Sequence, residues 1–179
     1  MKKYFVILAI AAIGCNDNSS SAIESDVKPS DSNRTYNDHG YVAEYSSKFE
    51  MGDPAHTEIV LELWKDFDNN TLDNGRKHFA DSVEMYFSDG SELISTADSA
   101  LAATKSYRAM MSDVKSTVVA IVPLKSVDKG QSFVTVWGRE YHTMNGKTDS
   151  MNIQEVWGFN KDNKITYMSQ LTGKLPVKK

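Results

Sequence analysis

The alternation of apolar and polar residues along this chain is mostly helical in its first part and strand-like in its last. Val60, Leu63, Trp64 and Phe67 recur at i, i+3, i+4 and i+7, the spacing that gathers one face of an α-helix. Asp53 and Pro54 supply the cap and first-turn proline that open such a helix, and Asn69-Asn70-Thr71 closes it. A short second helix is expected over 72–79, weakened by Gly75, and 83–87 reads as a strand closed by Asp89-Gly90. Ser95 and Asp98 flank the start of a third helix, on which Ala97, Ala100, Leu101, Thr104, Tyr107, Arg108 and Met111 share a face. Beyond Lys115 the period drops to two. Segments 116–127, 131–143, 150–160 and 164–172 are rich in Val, Thr and aromatic residues. The turn sequences Asp128-Lys129-Gly130, Asn145-Gly146 and 160–163 separate them and suit antiparallel hairpins. Helices come first and consecutive strands follow, so the fold class is α+β, with three N-terminal helices packed on one face of a curved, mostly antiparallel sheet.

The N-terminal end follows other rules. Lys2 and Lys3 precede an apolar run over 4–13, then Gly14 and Cys15, which is the pattern of a signal peptide. The run is about half the roughly 20 residues a membrane-spanning helix needs. Ala12-Ile13-Gly14-Cys15 resembles a bacterial lipobox, which implies cleavage after residue 14, lipidation of Cys15 and a place on the membrane of a bacterial cell envelope. Residues 15–35 read as the lipidated cysteine and a flexible tether, because Ser, Asn and Asp bury too little surface to offset the entropy of ordering. In 36–52, Tyr41, Tyr45 and Phe49 fit either a helix face or an extended lid. The domain proper is expected over 53–174, with a tail at 175–179.

Composition removes several classes of function. The 179 residues include one cysteine and four histidines, which leaves no internal disulfide and no Cys-based zinc site, and no metal or cofactor is expected. The net charge of −4 becomes −6 when residues 1–14 and their two lysines are removed, so no electrostatic footprint for nucleic acid exists. The membrane is expected to be met through the lipid anchor alone.

Three short pieces, Leu63-Trp64-Lys65-Asp66-Phe67-Asp68, His78-Phe79-Ala80-Asp81-Ser82 and Phe159-Asn160 to Lys164-Ile165, resemble in order and spacing the NTF2-like superfamily. This is the cone-shaped fold of the SnoaL-like polyketide cyclases, ketosteroid isomerase and scytalone dehydratase, and the resemblance covers about residues 53–172. It implies a pocket on the concave side of the sheet and a homodimer. Of the isomerase branch's three roles, the tyrosine position falls on Leu63, the acid on Glu155, and the base near Phe87 or Ser88, with Asp89 the closest carboxylate. One role of three is matched, so isomerase chemistry is not expected. A dehydratase pair from His78 and His142 is not expected either, because strict alternation turns His142 away from Arg139 and Tyr141. For a cyclase acid–base, Asp81 and Asp89 are nominal candidates.

Thr135, Trp137, Arg139 and Tyr141 share one parity, as do Ile153, Glu155, Trp157 and Phe159 on the next strand. The resemblance turns both sets inward, joined by Met168 and Gln170 from the last strand and Tyr86 from the first. Two readings stay open. In one, the tryptophans are core and Arg139 and Glu155 satisfy each other as an ion pair. In the other, these residues line a pocket for a small apolar or amphipathic molecule, with Glu155 or Asp89 as acid–base if a reaction occurs. The opposite parity, Val134, Val136 and Val156 with Glu140, His142 and Gln154, is expected on an outer face that pairs with a second copy or another envelope protein.

Overall fold

The computed structural model describes residues 39–174, so the expected signal peptide, Cys15, the expected tether and the 175–179 tail lie outside the described residues. The first α-helix, α1 (Pro54–Asn69), begins and ends where local chemistry sets it. Asp53 accepts the Ala55 N–H at 2.9 Å, and Asn70 takes the left-handed conformation (φ 57°) that turns its own N–H back onto the Asp66 and Phe67 carbonyls. The expected second helix is a 3₁₀ segment (Leu72–His78), where Gly75 lets the chain press against Leu63. The second α-helix, α2 (Ala97–Arg108), is capped by Thr96, whose hydroxyl accepts the Ser99 N–H.

Seven strands follow the order β1-β4-β5-β6-β7-β2-β3. They are β1 (Phe49–Met51), β2 (Phe79–Phe87), β3 (Glu92–Thr96), β4 (Met111–Ser126), β5 (Ser132–Met144), β6 (Lys147–Phe159) and β7 (Ile165–Lys174). All neighbours are antiparallel except β2 and β7. Two strands were not expected. The end of the 36–52 segment is β1, hydrogen-bonded along the edge of β4, and the stretch before α2 is β3, which folds back on β2 through the Asp89-Gly90 turn.

The β5–β6 hairpin corrects the expected facing of β5. Asn145 (φ 52°) and Gly146 (φ 74°) form a two-residue turn that sets Met144 opposite Lys147. Even positions of β5 therefore pair with odd positions of β6, Val136 with Glu155 and Val134 with Trp157. Directly opposed residues share a face. Val134, Val136, Glu140 and His142 thus face the helices and are buried, whereas Trp137, Arg139 and Tyr141 face away and are exposed. The core joins Val60 and Leu63 of α1 and Ala97 and Ala100 of α2 to the concave sheet at Val134 and Val136. His56 is a core histidine, stacked on Phe159 at 4.1 Å and bonded through Nε2 to Asn163 in the β6–β7 turn.

Candidate functional site

Between the helices and the concave sheet lies a cavity of about 540 Å³. Most of its wall is apolar, with Leu63, Phe67, Met85, Leu93, Ile153 and Met168 among the lining, and the polar groups are few. That composition is usual for small-molecule sites.

Glu155 is the most enclosed of them. Its Oε2 accepts the Trp64 Nε1–H at 2.6 Å and the Trp157 Nε1–H at 2.9 Å, and its Oε1 accepts a Gln170 amide N–H at 2.9 Å. Each donor is placed by the fold. Trp157 lies two residues along β6, Gln170 is the cross-strand partner on β7, and Trp64 reaches down from α1. The Trp64 ring lies over Gly138, the one position on β5 flat enough to admit it, since a Cβ there would stand 2.5 Å from Trp64 Cη2. The Arg139–Glu155 ion pair of the first reading does not form, because Arg139 is on the other face of the sheet. Burial pushes the Glu155 carboxyl up, and the three N–H donors oppose that only in part.

A second polar group lies on β5. Glu140 and His142 are both buried and joined by a 2.8 Å bond between Glu140 Oε1 and His142 Nδ1. Glu140 lines the cavity, and burial raises its carboxyl above the ordinary glutamate value despite the histidine. Tyr107 of α2 also lines it, its hydroxyl pushed up by burial and then by the Glu140 and Asp89 charges. Asp89 is at the exposed mouth. Its Oδ1 accepts the Ser91 hydroxyl at 2.6 Å and the Ser91 N–H at 2.9 Å, and these bonds lower its pKa. A carboxylate so held keeps its charge and is a weak base.

Of the residues expected to line a pocket, Trp157, Met168 and Gln170 do so with Glu155 and Asp89, while Trp137, Arg139 and Tyr86 do not. Inward facing on β2 belongs to Val83, Met85 and Phe87, so Tyr86 lies outside against Tyr167 and donates to Glu84 at 3.1 Å. Trp64, Gly138, Glu140, His142 and Tyr107 were not anticipated in the site. The Asn145-Gly146 turn carried the signal for the three on β5, because it fixes their parity.

With this geometry the chain can be set beside known proteins. A SnoaL-like polyketide cyclase from Shewanella denitrificans OS-217 superposes with a TM-score of 0.52 over 68% of this chain and 92% of its own, at 10% identity. The fold is NTF2-like. An LEH-like epoxide hydrolase of M. tuberculosis shares it with a TM-score of 0.55 over 66% of this chain and 82% of its own, at 9% identity. AusH from Aspergillus nidulans does so at 0.55, over 72% and 90%, also at 9% identity. No family model and no curated protein matches the sequence. At these identities the NTF2-like comparison speaks for the fold alone.

The raised carboxyls make stability depend on pH in a stated direction. A group that holds its proton more tightly folded than unfolded adds stability below its unfolded pKa, near 4.5 here, and that stability is lost as pH climbs through the folded value. Wild type should therefore be more stable at pH 5 than at pH 8, the fall being at most about 1.4 kcal/mol per pH unit for each carboxyl. Glu155→Gln should flatten the alkaline side of the profile. Thermal unfolding across this range checks both statements, and a wild-type profile that rises toward pH 8 contradicts them.

Proposed function

We propose that this domain binds a small, mostly apolar molecule in the cone, one polar group of which meets Glu155. The observation that carries the reading is the carboxyl itself. Glu155 is fixed from three sides by neutral donors, faces an apolar cavity, and among the described residues has no cation against it. A group held so rigidly suits recognition of a ligand hydroxyl or amine, because little ordering is required on binding. The test is native mass spectrometry of protein purified from its own host. The reading predicts a retained small molecule released by organic solvent, and a bare chain that binds no apolar compound would overturn it.

A second reading, a lyase-, isomerase- or cyclase-type enzyme, is favoured by one observation, the raised Glu155 carboxyl, which suits an acid–base group. Solved structures described as SnoaL-like polyketide cyclase and LEH-like epoxide hydrolase share this fold, which supports keeping an enzymatic reading beside the first. Between the two expected acid–base residues, Glu155 is the better placed, since Asp89 is exposed and already bonded to Ser91.

The domain is further proposed to sit on a bacterial membrane through Cys15, on the strength of the charged, apolar and small-residue order before it. Cys15→Ser should release the protein from the membrane fraction. Continued sedimentation with membranes after high-salt washing would contradict the anchor.

A further inference from the structure

We propose that the cavity selects amphiphiles by charge: it takes an apolar body ending in a protonated amine, with the ammonium at Glu140, and rejects the corresponding carboxylate. This rests on the pocket reading above and adds the chemical class of the ligand.

The first observation is the balance of charge. Among the described residues three acids line the cavity, Glu140, Glu155 and Asp89, and no lysine or arginine does. Cations nearby are committed elsewhere. Arg108 spends its guanidinium on three backbone carbonyls and the Phe67 ring, and Arg139 points out of the far side of the sheet. The second observation is the setting of Glu140. His142 of its own strand bonds it, and the charges of Asp68 at the end of α1 and of Glu155 further along the sheet act on it, as its own charge acts on Tyr107 of α2. Asp68 is occupied by the Ser116 N–H and hydroxyl. Acids therefore outnumber the single titratable base, and a buried carboxyl among like charges is costly to ionise. A ligand ammonium supplies the missing counter-charge, whereas a ligand carboxylate adds to the excess.

Distance separates the two carboxyls. Glu155 lies opposite Val136, and Glu140 is four residues further along β5, so the two positions are about 13 Å apart along the sheet at roughly 3.3 Å per residue. The floor between them is Gly138 and Ile153, with the Trp64 ring above the glycine. Glu155 already accepts three hydrogen bonds, while Glu140 accepts one from His142. The ammonium therefore belongs at the Glu140 end, and the ligand group that meets Glu155 is a second, neutral one.

The experiment uses three probes of equal chain length, decylamine, 1-decanol and decanoate, titrated into the full chain at pH 7.4 below their micelle concentrations. Emission from Trp64 and Trp157 is read in a Trp137→Phe background, which removes the outward tryptophan. Decylamine should bind at least tenfold more tightly than decanol, and decanoate more weakly than either. Glu140→Gln should bring the amine-to-alcohol ratio within about threefold while decanol binding persists. Because the whole chain is acidic (−4), the ratio is also measured in 0.5 M NaCl, where attraction to surface charge is screened and a buried preference survives. This second measurement stands even if the Gln variant does not fold. Decanoate binding as tightly as decylamine, a ratio unchanged in a folded Glu140→Gln protein, or a ratio abolished by salt overturns the charge selection. Binding of none of the three probes sinks the pocket reading instead.

Discussion

Gly138→Val should lower the melting temperature by about 6–20 °C, the largest effect expected from a single change on the concave face. An added Cβ would stand 2.5 and 2.6 Å from two ring carbons of Trp64 and 2.8 Å from the Thr117 carbonyl oxygen. The carbonyl is backbone within β4, which pairs with β5 at this level, so it has little room to retreat. The indole is tied to Glu155 through its N–H, so it moves only by breaking that bond. Overpacking costs about 1–3 kcal/mol, and leaving a buried donor and carboxyl each short of a partner costs about 1–3 kcal/mol more. Valine also branches at Cβ and worsens the overlap that alanine begins. Thermal unfolding followed by tryptophan emission checks this, and a shift of under about 2 °C would mean that Trp64 does not rest on the glycine.

Arg108→Met should cost about 3 kcal/mol or more, with Arg108→Lys recovering little of it. The side chain is buried, and its forked donors reach the Phe67 carbonyl (2.6 Å), the Asp68 carbonyl (2.9 Å) and the Met111 carbonyl (2.9 Å). Two of these are last-turn carbonyls of α1, where a cation is favoured, and the Phe67 carbonyl is shared with the Asn70 N–H. The arginine thereby ties α2 and the start of β4 to the end of α1, the helix that carries Leu63, Trp64 and Phe67 to the cavity. Methionine fills the volume and makes none of the bonds; lysine keeps the charge without the planar fork. Chemical denaturation of the three proteins measures the difference, and a lysine variant as stable as wild type would show that charge alone suffices.

What the sequence made legible is what neighbours in the chain decide. The cap at Asp53, the stop at Asn70 and the hairpin turns are set by residues a few positions apart, and the structure places them where the pattern does. Parity on β5 was misread because both of its faces carry apolar bulk, Val134 and Val136 on one and Trp137 and Tyr141 on the other, so hydrophobicity alone does not choose. The register of the Asn145-Gly146 turn does choose. β3 escaped notice because five residues between a turn and a helix cap give too short an alternation. That Glu155 faces the concave side was legible, but its partners were not. Trp64 is 91 residues away and reads as one apolar residue on a helix face, its N–H adding nothing to the periodicity. The arginine matched to Glu155 followed from the same misread parity.

The central claim is that Glu155 meets a ligand in the cavity, and native mass spectrometry of wild type and Glu155→Gln, purified side by side from the same host, tests it most directly. The substitution keeps the shape of the side chain. Its amide oxygen still accepts from both indoles, and Gln170 can turn its own amide to accept the new N–H₂. The account predicts a retained small molecule on wild type, a loss of at least about tenfold in its occupancy on the variant, and a variant that stays folded. Equal occupancy by the same molecule on both proteins, or a bare wild type, would contradict it.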